Sequence, residues 1–214
     1  MGTEYGRYLR LDRLLELQQP VTGPEFARRR SSEHFFIVVH QASELLLKQL
    51  LADTHAAIEG LRSPRVDWPR VHEDLERADA LVAALRDLLR LFDHLPVEEF
   101  AAFRPGLGGA SAAQSHQFSS FLSLMGIDGR PSPLTAALRS AVRREGAASD
   151  GSERVVRSLG ALASTVEEWQ RGHIRVAERF IADAPGTGGT TGVAWLRGRQ
   201  RPALPDLPRS FPSP

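Results

Sequence analysis

One helical face in the N-terminal half of the chain carries an imidazole among apolar side chains. In the stretch FFIVVHQASELLLK, residues 35–48, Phe36, His40 and Glu44 follow one another at intervals of four residues. That spacing places all three on the same side of an α-helix. Either His40 is a buried histidine with a satisfied hydrogen bond, or it projects from an apolar wall into a pocket. The stretch alone leaves both interpretations open.

A second histidine, His173, lies at the centre of another apolar stripe. In VEEWQRGHIRVAERF, its neighbours on the same helical face include Val166, Trp169, Val176 and Phe180. A single imidazole in such surroundings suits the axial position of a haem, because the macrocycle supplies the other ligands of the iron. A buried histidine without a ligand has the same pattern, so this stripe also leaves two interpretations.

An arginine and a glycine-rich loop could bind the polar end of a small molecule. Arg104 precedes a glycine-rich turn, where a guanidinium is usually solvated but can also hold a carboxylate through two parallel hydrogen bonds. The loop GTGGTTG, residues 186–192, offers backbone N–H groups and hydroxyls to a carboxylate or an ammonium group. The sequence has no cysteine and no H-x-x-x-H or H-E-x-x-H pair, which disfavours a conventional zinc site.

Helical periodicity dominates the elements that must position these residues, so the predicted fold class is all-α. Ser31 or Ser32 is predicted to cap a long helix that ends near Arg62. Asp67 is predicted to cap the next helix, with Pro69 in its first turn. Further helices are predicted over residues 8–18, 97–104, 113–126 and 153–183, with a polar linker at 144–152 and a proline-rich tail from about residue 202.

The composition predicts one globular domain over residues 1–214. The 27 basic and 26 acidic residues nearly cancel, which argues against the one-sided basic surface that nucleic-acid binding needs. The uninterrupted apolar runs are too short to cross a bilayer, and no signal-peptide core is found near the N-terminus. The expected location is therefore the cytoplasm, without membrane or nucleic-acid partners.

Taken in order along the chain, these segments resemble the tryptophan 2,3-dioxygenase family, haem enzymes that open the indole ring of tryptophan. The resemblance implies a helical bundle around a haem pocket, with one haem b per subunit. It also implies that L-tryptophan reacts with dioxygen at the indole C2–C3 bond to give N-formyl-kynurenine. Six segments carry it: YGRYLRLDRLLELQQP (5–20), FFIVVHQASELLLK (35–48), EFAAFRPGLGGASAAQS (99–115), WQRGHIRVAERF (169–180), GTGGTTGVAWLR (186–197) and LPDLPR (204–209).

The resemblance implies a role at the haem for four residues. His173 would be the proximal ligand of the haem iron, and Ser111 would lie near the haem edge. His40 would lie on the distal side, near the indole N–H of the substrate, with Phe36 packing on the indole ring.

Other residues would hold the amino-acid end of the substrate or complete the pocket. By resemblance, Arg104 would bind the substrate carboxylate and Thr187 would contact the same end. Phe100 stands where many bacterial members carry a tyrosine and others a phenylalanine. Three residues would reach into the pocket from a neighbouring subunit, which implies a homotetramer: Tyr5, Tyr8 and Leu9.

Departures from the family pattern keep two alternatives open. Leu46 stands where a tryptophan is usual, and Ala112 and Ala113 replace a Gly-Phe pair. The region 127–168 is shorter than in the family, which puts closure of the haem pocket in question. The chain could instead be a related haem-dependent aromatic oxygenase acting on a modified tryptophan or on tyrosine. It could also be a haem-binding or structural helical protein without catalysis.

Overall fold

The computed structural model describes residues 3–146, 149–182, 184–186, 189 and 191–208. Within these residues the all-α prediction is confirmed, because the regular elements are α-helices and short 3-10 helices without any strand. The α-helices are α1 (Glu4–Leu9), α2 (Leu11–Leu14), α3 (Ala27–Arg62), α4 (Trp68–Leu89), α5 (Val97–Phe103), α6 (His116–Leu124), α7 (Pro133–Glu145), α8 (Asp150–Ile181) and α9 (Val193–Gly198). The 3-10 helices are Arg90–His94, Arg104–Leu107 and Ala112–Gln114.

Three long helices form the centre of the bundle. Helix α4 packs along both α3 and α8, while α5, α6 and α7 pack on other parts of α3. Apolar side chains at helical spacing, such as Leu50, Leu75 and Leu159, are completely buried in the main core. A second, smaller cluster is mainly aromatic and consists of Val39, Phe92, Leu95, Phe100 and Phe103.

The predicted boundary between the first two long helices is confirmed. Helix α3 ends at Arg62, and the Asp67 side chain accepts a hydrogen bond of 3.1 Å from the backbone N–H of Arg70. Pro69 lies in the first turn of α4, where its missing N–H costs no intrahelical bond. Helix α4 buries the apolar face that its spacing predicts.

The predicted start of α3 is wrong. The helix begins at Ala27, so Ser31 and Ser32 lie inside it and neither is an N-cap. A tertiary contact, in place of a capping side chain, holds the first turns of α3. The buried carboxylate of Glu33 accepts backbone N–H bonds of 2.8 and 2.9 Å from residues 21–22, which fastens the preceding segment to the helix.

The N-terminal segment also differs from its prediction. In place of one helix over residues 8–18, the structure has the short helices α1 and α2. Arg10 separates them with a positive φ of 54°, a conformation that interrupts a right-handed helix. The predicted apolar face is only partly used, because the side chain of Leu15 is 68% exposed.

Helix α7 is an element that sequence reasoning did not identify. Ser132 caps it, and the same hydroxyl donates a hydrogen bond of 2.6 Å to the carbonyl of Leu124 at the end of α6. Because α7 and α8 extend into both ends of the predicted linker 144–152, the connection between them is shorter than expected.

The segment predicted as the start of a proline-rich tail belongs to the core. Ala203 and Leu204 are 5% and 3% exposed. The backbone N–H of Leu204 donates a hydrogen bond of 2.8 Å to the carbonyl of Met125. Residues 209–214 lie outside the described residues.

Helix α3 is long and apolar enough to span a membrane by length and composition alone, with a mean hydropathy of 1.3 over its most apolar window. The sequence prediction considered only uninterrupted apolar runs and did not identify this helix. Mostly buried core helices of water-soluble proteins and signal sequences meet the same criterion, and 17% of this window is buried here. Helix α3 also buries Glu33 and Asp53 within the bundle, where both carboxylates are hydrogen-bonded.

Candidate active site

A largely apolar cavity opens between α3, α5 and α8, beside the segments that follow α5 and α8. Residues from α3, from the part of the chain between α4 and α6, and from α8 to α9 meet there. Six of the ten residues singled out in the sequence line this cavity: Phe36, His40, Phe100, Arg104, Ser111 and His173. The structure therefore brings most of the predicted site together, while the haem and substrate contacts of these residues stay predictions.

His40 presents one defined ring nitrogen to the cavity. Its Nδ1 lies 2.8 Å from the carbonyl of Phe36, one helical turn earlier. A carbonyl can only accept, so Nδ1 carries the proton and Nε2 keeps its lone pair. The ring also packs on Phe36, with centroids 4.1 Å apart. Burial lowers the pKa of His40, partly opposed by the bond to Phe36 and the charge of Glu44, and the neutral form is favoured.

His173 lies deeper in the same cavity, in an aromatic environment. Its ring is stacked on Trp169 at an interplanar angle of 6° with centroids 5.5 Å apart, and Phe118 lies 6.3 Å away. Burial lowers the pKa of His173 to about 4, and a proton on the neighbouring His40 would act in the same direction. Among the described residues neither ring nitrogen has a hydrogen-bond partner. His173 is therefore a neutral imidazole with an available lone pair.

Arg104 connects the turn after α5 to the start of the glycine-rich loop. Its guanidinium is half-buried at the cavity wall and donates a hydrogen bond to the carbonyl of Pro185. One Nη group is used in this way, which leaves other N–H donors of the fork for a ligand.

The glycine-rich loop approaches the cavity through two of its glycines, Gly186 and Gly192. Gly192 has a φ of 64°, and a Cβ at this position would lie 2.5 Å from the carbonyl oxygen of Ala184. Only glycine fits there. Thr187, predicted to contact the substrate, lies outside the described residues.

Most of the lining residues were not assigned a role from the sequence, among them Glu44, Phe118 and Trp195. Glu44 lies in the wall one turn after His40, and Gln117 donates to its Oε2 at 2.7 Å. The interval of four residues between His40 and Glu44 was the sequence pattern that indicated a shared helical face. Phe118 and Trp195 also line the cavity, but they belong to separate helices whose approach no local pattern indicates.

The N-terminal residues Tyr5, Tyr8 and Leu9 lie away from this cavity. Their side chains are 68%, 86% and 41% exposed, and none of them lines it. Their predicted contact with a neighbouring subunit stays a prediction.

The shortened region does not contribute to the cavity wall. Between Phe118 on α6 and Trp169 on α8, no residue of the described chain lines it, and this interval includes all of 127–168. Helix α7, within that region, packs on α3 in the main core instead. Whether the shortened region affects closure of the haem pocket stays a prediction.

The family model for tryptophan 2,3-dioxygenase matches residues 1–130, more than half of the chain. The chain belongs to the tryptophan 2,3-dioxygenase family. The matched part includes His40, Arg104 and Ser111, whereas His173 lies beyond it.

Individual family members align over more of the chain. A tryptophan 2,3-dioxygenase of Anaeromyxobacter dehalogenans is 29% identical over 259 positions, covering 95% of this chain and 93% of the relative. One of Herpetosiphon aurantiacus is 28% identical, covering 95% of both chains. One of Xanthomonas oryzae is 37% identical over 122 residues, or 57% of this chain and 39% of the relative. Because an alignment of 259 positions exceeds the 214 residues here, the first relative contains residues that this shortened chain lacks.

Proposed function

We propose that this protein is a haem-dependent dioxygenase that cleaves the indole C2–C3 bond of L-tryptophan with dioxygen, giving N-formyl-kynurenine. The observation that carries the proposal is one apolar cavity lined by two neutral imidazoles, His40 and His173, together with the guanidinium of Arg104. Family membership and relatives named tryptophan 2,3-dioxygenase support the substrate.

The residues around His173 suit a haem b group. Iron binds the lone pair of a neutral imidazole, and burial keeps His173 neutral down to a pH of about 4. The apolar and aromatic wall suits the faces of a macrocycle, and Ser111 offers a hydroxyl at its edge. The cavity has a volume of about 270 Å³, and the wider space around it includes open solvent. A macrocycle with its substrate therefore has to extend into the open part.

His40 would orient the indole. With Nδ1–H committed to Phe36, its Nε2 accepts the indole N–H, and this directional contact fixes the rotation of the ring. Phe36 and Phe92 pack around His40, with Phe92 5.5 Å from the imidazole centroid. Their rings exclude water from the reacting end of the substrate.

Arg104 would hold the substrate carboxylate through its remaining donors. The bond to the Pro185 carbonyl fixes the guanidinium beside the glycine-rich loop, so the carboxylate and that loop share one anchoring point. Phe100 contributes ring packing there and no hydroxyl. When bound, the haem supplies the dioxygen chemistry, and the side chains described above bind, orient and shield the substrate.

Haem reconstitution followed by a turnover assay tests the proposal. The protein is loaded with haem, reduced without air, and then given tryptophan and dioxygen. We expect the absorbance of N-formyl-kynurenine to rise, with both oxygen atoms of labelled dioxygen in the product. A haem-loaded protein that produces no formyl-kynurenine would refute the proposed activity. Parallel assays with methylated tryptophans and with tyrosine measure substrate preference.

A further inference from the structure

A second cavity shares a wall with the candidate active site. It lies between the end of α4 and the C-terminal half of α8 and has a volume of about 590 Å³, within the usual range for small-molecule sites. Four apolar residues line both cavities: Leu89, Phe92, Val176 and Phe180. We refer to this second cavity as the arginine groove.

Charged side chains surround the apolar floor of the arginine groove. Its lining includes four arginines and three carboxylates: Arg86, Arg90, Arg175, Arg179, Asp87, Asp93 and Glu168. The carboxylates are already in ion pairs. Arg86 lies 2.6 Å from Glu168 and 3.5 Å from Asp87, and Arg179 lies 3.3 Å from Asp93.

Two guanidinium groups are left over. Within the described part of the chain, the side chains of Arg90 and Arg175 have neither an ion pair nor a hydrogen bond. The exposed side chain of Arg175 lies beside Gly172, another lining residue, since its Nη2 would be 3.7 Å from a Cβ built there. Two uncompensated guanidiniums at one cavity repel each other and attract an anion, to which each offers a fork of parallel N–H donors.

The net charge of the lining and the aromatic rings of the floor together restrict the class of anion that the arginine groove can bind. With four arginines and three carboxylates, the lining carries an excess of one positive charge. A monoanion neutralises this excess, whereas a dianion such as sulfate would bring one negative charge too many beside three carboxylates. The floor contributes the rings of Phe92 and Phe180, against which an aromatic ring can pack.

We propose that the arginine groove binds a small aromatic monocarboxylate, with the carboxylate between Arg90 and Arg175 and the ring on the Phe92–Phe180 floor. This site is separate from the substrate site proposed above, although the two cavities share four lining side chains. The inference does not depend on haem or turnover.

Calorimetric titration of the full-length protein with benzoate tests the site. The Arg104→Ala variant serves as the background, because it removes the carboxylate contact proposed for the other cavity. We expect saturable binding of one benzoate per chain in this background. Adding Arg90→Gln and Arg175→Gln together should weaken benzoate binding at least tenfold, and each substitution alone at least threefold. Arg157→Gln, an exposed arginine on α8 outside the groove, should leave the affinity unchanged.

Several outcomes overturn the proposal. Benzoate that shows no saturable binding, or that binds equally well after both arginines are replaced, excludes the arginine groove as its site. Sulfate that binds more tightly than benzoate shows a dianion site instead. Benzyl alcohol that binds as tightly as benzoate shows that only the apolar floor contributes. None of these results bears on formyl-kynurenine production, so failure here and failure of the proposed function are distinguishable.

Discussion

At the scale of single residues, the two imidazoles of the cavity differ in the nitrogen that each leaves free. His40 has committed Nδ1–H to a backbone carbonyl, whereas neither nitrogen of His173 is bonded among the described residues. The fixed Nδ1–H gives Nε2 of His40 a defined direction, which suits a residue that orients a substrate. A metal-ligating histidine ordinarily donates its second ring N–H to an acceptor, and none of the described residues supplies that acceptor to His173. The role of His173 as haem ligand therefore rests on its neutral, buried ring in the cavity wall and on the family resemblance.

Alanine substitutions separate these tasks. His173→Ala should abolish haem retention and all oxygenase activity, because no other described side chain in the wall offers an imidazole at that position. His40→Ala should retain haem and lower kcat/KM about 10- to 100-fold, because it removes one orienting hydrogen bond. The Soret spectrum and the turnover rate measure the two effects, with the exposed His55→Ala as the control. Haem lost from His40→Ala and kept by His173→Ala would show that the two roles are reversed.

The pKa of His173 predicts a loss of stability in acid. Its folded-state pKa of about 4 lies below the ordinary value of 6.5, so the unfolded chain takes up the proton more readily. The contribution of His173 to the free energy of unfolding is therefore fully present above about pH 6.5. It is lost as the pH decreases towards 4, and the free energy of unfolding is about 2 kcal/mol lower at about pH 5. Urea unfolding of the haem-free protein at about pH 7.5 and about pH 5 measures the difference, which His173→Leu should reduce by about that amount. An unchanged pH dependence in this variant would contradict burial of a neutral ring.

At the scale of elements, the connection from α8 to α9 depends on one glycine. Gly192 begins the turn into α9 with a positive φ and lies against the Ala184 carbonyl, so the loop closes on itself at this point. Arg104 reaches the same segment through Pro185. The position of the loop and the orientation of the Arg104 guanidinium, proposed to bind the substrate carboxylate, are therefore coupled.

Gly192→Ala tests this coupling, with Gly189→Ala as a matched control. Both glycines have positive φ, 64° and 75°, but only a Cβ at Gly192 meets a backbone oxygen, at 2.5 Å. We expect Gly192→Ala to raise KM for tryptophan at least tenfold while haem is retained. Gly189→Ala should cost only the strain of a positive φ, about 1 kcal/mol of folding free energy. Equal KM values in the two variants would show that the contact with Ala184 does not position the loop.

At the scale of the whole molecule, much apolar surface remains uncovered by the chain itself. Tyr5 and Tyr8 are exposed in the N-terminal segment, and on α3 the outward side chains of Val38 and Leu45 are 41% and 53% exposed. Large exposed apolar side chains are typical of subunit interfaces when they are grouped. The homotetramer implied by the family resemblance would cover such side chains, and it stays a prediction.

Assembly can be measured directly. We expect light scattering to give a mass about four times that of one chain. Tyr8→Ser should raise KM for tryptophan with haem still bound, because Tyr8 lies far from the cavity of its own chain and acts through a neighbour. Leu17→Ser, at a similarly exposed position outside the predicted contact, is the control. A monomer with full activity would contradict the predicted contribution of Tyr8.

Local patterns predicted the helical class, the boundary between α3 and α4, and the two histidines, because the period of an α-helix and the preferences of caps depend on near neighbours. Contacts between distant segments decided the rest. Glu33 accepts two backbone bonds from residues 21–22 near the start of α3, and the main core buries Ala203 and Leu204. The arginine groove exists only because α4 and α8 pack together, although its two free guanidiniums, Arg90 and Arg175, are 85 residues apart in the chain. Sequence spacing identified the reactive side chains, and only the packing of helices decided which of their atoms are free to bind.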